Sequence, residues 1–107
     1  MYKSNARHLD PIRQCEPEIE DKELRRMAEV FASSESIIQM DRTFEHSLPE
    51  HVDENVALFN LFKRLRNARL LQTTKGEDLY YAAMRNGSVQ LTRLGRFYWE
   101  LVKKDRI

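Results

Sequence analysis

The chain has 107 residues, 41% of them hydrophobic and 33% charged, which suffices for one core of ordinary domain size. No apolar run is long enough to cross a bilayer and the first residues have no signal-peptide core, so a cytoplasmic protein without membrane contact is expected. The single cysteine, Cys15, excludes an internal disulfide; the net charge of +1 conceals seven Lys/Arg against thirteen Asp/Glu over residues 1–55, then eleven against four over residues 56–107.

That split, −6 followed by +7, points to a polyanion partner or to self-association. Mutual neutralisation of the two halves accounts for it equally well.

Residues 1–19, with Pro11, Pro17 and few apolar side chains, read as a flexible or loosely docked arm. Residues 20–107 then form a single domain. Its first helix starts near Glu20, where Leu24, Met27, Ala28 and Phe31 recur at helical steps behind the acidic Glu20, Asp21 and Glu23. The serines of "SSES" interrupt the pattern. A second helix is expected over "ESIIQMDRTFEH", with one bent helix over residues 21–46 as the alternative.

In "SLPE", Ser47 and Glu50 stand at capping-box spacing with Pro49 in the first turn. A third helix is therefore expected from Ser47 to near Leu70, unless Asp53 caps a fresh start. On a helical wheel, Leu58, Leu61, Phe62, Leu65 and Ala68 form its core stripe. Asn60, Lys63, Arg64 and Asn67 lie opposite, with Arg66 at the edge and Phe59 on the border, partly exposed. Arg69 stands at the helix end.

"QTTKGED" reads as a loop. Asn86-Gly87 is a strong signal for a two-residue hairpin turn with positive φ at both positions. With that register Arg85 faces Ser88 and Met84 faces Val89. Tyr80, Ala82, Met84, Val89 and Leu91 share the inner face. Thr92 caps a last helix whose core stripe is Leu94, Phe97, Tyr98 and Leu101, with Lys103 and Lys104 at its end. Trp99 lies off that stripe. It either closes the domain edge, the preferred reading, or anchors a partner.

From "LFKRLRNARLLQTT" through "LYYAAMRNGSVQLTRLGRFYWEL" the chain resembles the second half of a winged-helix domain of the MarR or PadR regulator type. The resemblance rests on Ala68, Leu70 and Leu71 closing a recognition helix, on the hairpin, and on the "LT..G" piece in "QLTRLGR"; many members have Gly where Arg69 stands. It covers roughly the last half of the chain. It implies a mainly α fold with a small β-hairpin: a winged helix-turn-helix of three helices, a two-stranded wing and a C-terminal helix.

The resemblance also implies double-stranded DNA as partner and transcription regulation as role. Asn60, Arg64 and Asn67 suit base edges and Lys63 and Arg66 suit phosphates. Lys75 and Arg85, flanking the wing, reach the backbone or a minor groove. The competing expectation is a protein-interaction or homodimerisation module using Phe59 and Trp99. Catalysis is not expected, because the chain has no glycine-rich phosphate loop and no nucleophile motif. No metal or cofactor is expected either: of His8, His46 and His51, the last two are five apart, and spacing gives no support for a site that they would share with Cys15 or Asp53.

Overall fold

A computed structural model describes residues 19–105. The expected arm, apart from Ile19, and the tip of the C-terminus lie outside the described residues. Ile19 itself packs against the core.

The first helix, α1 (Asp21–Val30), forms as its spacing predicts. Leu24, Met27 and Ala28 are buried, and Asp21 and Glu23 occupy the first turn. The expected second helix is not there. Ser33 and Ser36 make a turn through the Ser36 N–H to the Ser33 carbonyl, 3.1 Å. The chain then enters a short strand, β1 (Ile37–Gln39), and a 3-10 turn, Arg42–Phe44. The β-branched pair Ile37-Ile38 suits a strand better than a helix. Asp41 caps the 3-10 turn by accepting the Thr43 N–H at 2.9 Å.

The capping box is also corrected. Ser47 donates its N–H and hydroxyl to Glu45 Oε2, at 3.2 and 2.7 Å, and Glu50 pairs with Arg42 at 2.9 Å. Both members of the box are thus engaged elsewhere, and residues 45–51 form successive turns. Helix α2 (Asp53–Asn67) begins later, at the alternative start, with Asp53 and Glu54 in its first turn. Asp53 stands inside the helix, and the N-cap is Val52 without a side-chain bond.

Helix α2 ends in a Schellman motif. The Leu70 N–H reaches the Leu65 carbonyl at 2.8 Å and the Arg69 N–H reaches Arg66 at 2.9 Å, while Arg69 takes φ 66°. The αL position that usually falls to glycine is held here by arginine. Strand β2 (Leu71–Thr73) follows directly.

The Asn86-Gly87 hairpin is replaced by a helix. Residues Leu79–Met84 form α3, capped by Asp78, whose carboxylate accepts the Tyr81 N–H at 2.9 Å. Leu79, Ala82 and Ala83 are buried at helical spacing, and Tyr80 is 48% exposed instead of facing inward. Asn86 takes φ 57° and Gly87 does not have positive φ, so no type I′ turn forms. The pair closes α3 instead, with the Gly87 N–H on the Ala82 carbonyl at 2.6 Å and the Asn86 N–H on Ala83 at 3.4 Å.

Strand β3 (Ser88–Leu91) is the centre of a three-stranded antiparallel sheet ordered β1-β3-β2. Ile38 and Thr73 both align with Val89, and Leu71 aligns with Leu91. These residues face the core; Ile37, Gln72 and Gln90 share the outer face.

Thr92 caps the last helix, α4 (Arg93–Lys103), as expected: its hydroxyl accepts the Gly95 N–H at 3.0 Å and donates to the Arg69 carbonyl at 2.7 Å. Gly95 permits this seam, because a Cβ there would collide with the Leu70 carbonyl oxygen. The inward face of α4 is rotated from the expected stripe. Leu94, Tyr98, Trp99 and Val102 pack on the core, while Phe97 is 56% exposed.

The core has an aromatic centre. Phe31 and Phe44 both stack on Phe62, at 6.1 and 6.3 Å between ring centroids, and Phe44 meets Phe59 edge-on. The whole is a mixed α+β fold, with four α-helices and one sheet among the described residues.

Candidate nucleic-acid interface

Helix α2 presents the polar stripe that its wheel predicts. Asn60, Lys63, Arg64, Arg66 and Asn67 are all exposed, and Leu61, Phe62 and Leu65 anchor the opposite face in the core. The helix is held against the 3-10 turn by the Asn55 side chain, which donates to Thr43 Oγ1 at 2.9 Å, and by the Val52 N–H on the Thr43 carbonyl at 2.9 Å.

The stripe is not uniform. The Lys63 ammonium lies 4.7 Å from the centre of the Phe59 ring. Arg64 donates from Nε to Glu23 Oε2 of α1, so its guanidinium turns toward that helix. Asn60, Arg66 and Asn67 are the residues of the stripe whose side chains make no hydrogen bond or ion pair within the described chain.

Lys75 and Arg85 come to a common end of the sheet, remote in sequence from the stripe. The Thr74 N–H bonds the Ser88 carbonyl at 3.0 Å and the two hydroxyls meet at 2.9 Å, which brings the Lys75 turn beside the start of β3. Gly76 holds that turn with φ 82°. Arg85 follows α3 and lies over the Tyr81 ring, 5.6 Å from its centre. Tyr80 and Tyr81, both about half exposed, meet edge-on beside it at 5.9 Å.

Of the two proposed anchors, Phe59 is corrected. It is 2% exposed and belongs to the aromatic core, because the 3-10 turn brings Phe44 edge-on against this border of α2 and covers it. Trp99 is partly buried. Its indole N–H donates to the Phe31 carbonyl at 2.7 Å, tying α4 to the end of α1, and the Lys103 ammonium lies over the Trp99 ring, 5.4 Å from its centre. That is the edge-closing role.

Two carboxylates are held below their ordinary range. The Ser47 hydroxyl is the main cause at Glu45, which is 7% exposed, and the Arg42 guanidinium at Glu50. His46 lies 3.4 Å from Glu45 and His51 lies 3.4 Å from Asp53. Among the described residues no three His, Cys, Asp or Glu side chains group as metal ligands, and no helix is long and apolar enough to cross a membrane. His8 and Cys15 lie outside the described residues.

Sequence reasoning missed the cations of α1. Lys22, Arg25 and Arg26 stand at i, i+3 and i+4 on the face opposite Leu24, Met27 and Ala28, so a wheel of α1 would have found them. Comparison with protein-family models, curated proteins and solved structures found no match.

Proposed function

We propose that this chain is a winged-helix-like, non-catalytic protein that binds double-stranded DNA in the cytoplasm as a small regulator or accessory factor. The observation that carries this reading is the exposed stripe of Asn60, Lys63, Arg66 and Asn67 on a helix whose other face is locked into the core. Asparagine pairs with adenine edges, arginine with guanine edges, and either cation with phosphate. The strand order β1-β3-β2, with α2 leading straight into β2, supports the winged-helix reading. Lys75 and Arg85, at one end of the sheet, supply a second contact to the backbone.

The test is binding of labelled duplexes by Lys63→Glu combined with Arg66→Glu, and by Arg85→Glu. The helix variant loses most of its affinity and the sheet-end variant loses less. Unchanged binding by the helix variant would remove α2 as the reading element.

A second reading, a protein-interaction or homodimerisation module, is favoured by one observation. Phe97 is 56% exposed on the outer side of α4, edge-on to Tyr98 at 5.3 Å. Sedimentation of the wild type against Phe97→Asp decides it. A dimer that dissociates in the variant supports it, and a monomer at high concentration rejects the homodimer.

A further inference from the structure

A surface cleft of about 830 Å³ lies between α1 and α2, lined by charged side chains of α1 and by Arg64. Its charges are only partly matched. Glu20 pairs with Lys22 at 3.4 Å, and Glu23 takes the Nε of Arg64. Arg25 and Arg26 line the same cleft, as does Glu29, and neither arginine has an ion-pair partner among the described residues.

The geometry at Arg64 is directional. Glu23 is the more sequestered partner, with its side chain 16% exposed against 50% for Arg64. Because the carboxylate engages Nε, it fixes the plane of the guanidinium and leaves the two terminal amino groups for another acceptor. Arg25 and Arg26 project from the face of α1 opposite Leu24, Met27 and Ala28, which are buried. Arg25, Arg26 and Arg64 thus line one open cleft together with Glu20, Glu23 and Glu29, and a carboxylate engages the Arg64 guanidinium. Planar forks of this kind match the paired oxygens of a phosphodiester.

We propose that Arg25, Arg26 and Arg64 form a clamp for the backbone phosphates of double-stranded DNA, extending the contact of α2 onto α1. The clamp rests on the DNA-binding reading and adds to it a surface that α2 alone does not supply. It fixes the position of the duplex and carries no sequence preference, because phosphates are the same at every step.

The experiment compares wild type with the double variant Arg25→Gln/Arg26→Gln, using two duplexes of unrelated sequence over a salt series. Glutamine keeps the helix propensity of arginine, and thermal melting of the variant checks that the fold is intact. The double variant loses affinity about ten-fold or more at ~0.1 M salt, equally on both duplexes, and its log–log salt slope is shallower by about two. Arg93→Gln, on the first turn of α4, binds as wild type does. If wild type binds and the double variant keeps both its affinity and its slope, the clamp is wrong and the α2 reading stands. If wild type binds neither duplex at low salt, both fail together.

Discussion

Two backbone positions show how tightly single residues control the junction between α2, β2 and α4. Arg69 holds φ 66° at the end of α2, where a side chain costs about 1–2 kcal/mol relative to glycine. Arg69→Gly keeps every hydrogen bond of the Schellman motif, since all are made by backbone. The added freedom of the unfolded chain offsets part of the gain. A small rise in melting temperature is expected, worth up to about 1 kcal/mol. Gly95 behaves in the opposite way. Alanine there improves helix propensity by roughly 1 kcal/mol, but its methyl group meets the Leu70 carbonyl, the acceptor of the Thr92 N–H at 2.9 Å. Overpacking of this kind costs about 1–3 kcal/mol, so Gly95→Ala melts lower than wild type. A variant that melts higher would mean that α4 can slide without loss.

At the level of elements, the turns of residues 45–51 carry a pH dependence. Glu45 titrates below its ordinary value because the Ser47 hydroxyl and N–H stabilise its carboxylate. A depressed folded value means that this stabilisation is complete above the unfolded carboxylate pKa, about 4.3, and is lost as pH falls through the folded value. Ser47→Ala removes the hydroxyl, so chemical denaturation shows a loss of about 1 kcal/mol at neutral pH and a smaller further loss in acid. Equal acid sensitivity in both proteins would remove Glu45 from the account.

The same scale shows what was legible in sequence. Helix α1 and the buried face of α2 were readable because Leu24, Met27, Leu61, Phe62 and Leu65 repeat over several turns. Residues 79–84 were not, because six residues satisfy both periods. Tyr80, Ala82 and Met84 alternate as a strand would, and Leu79, Ala82 and Ala83 recur as a helix does. Asn-Gly ended the segment under either reading, since asparagine in αL closes a helix as well as a hairpin. Strands β1 and β2 have three residues each and exist only through β3, which Ile38 meets fifty-one positions along the chain at Val89. No local pattern carries such a pairing. In the candidate site, the stripe of α2 followed from its period, whereas the turn of Arg64 toward Glu23 depends on how two helices pack.

For the whole molecule, the split of charge along the chain is resolved by contact as well as by surface. Arg64 from the basic half meets Glu23 from the acidic half, and Lys63 adds to the field that lowers Glu45. The acidic half nevertheless contributes Lys22, Arg25 and Arg26 to the same side of the molecule as Arg64. The proposed DNA surface therefore draws on both halves. The measurement that bears most directly on this account is the affinity of the wild-type chain for a labelled duplex across a salt series. Binding that weakens with a log–log slope of about −3 to −5 is the expected result, as for several phosphates neutralised together. Absence of binding at low salt, or an affinity indifferent to salt, would contradict it.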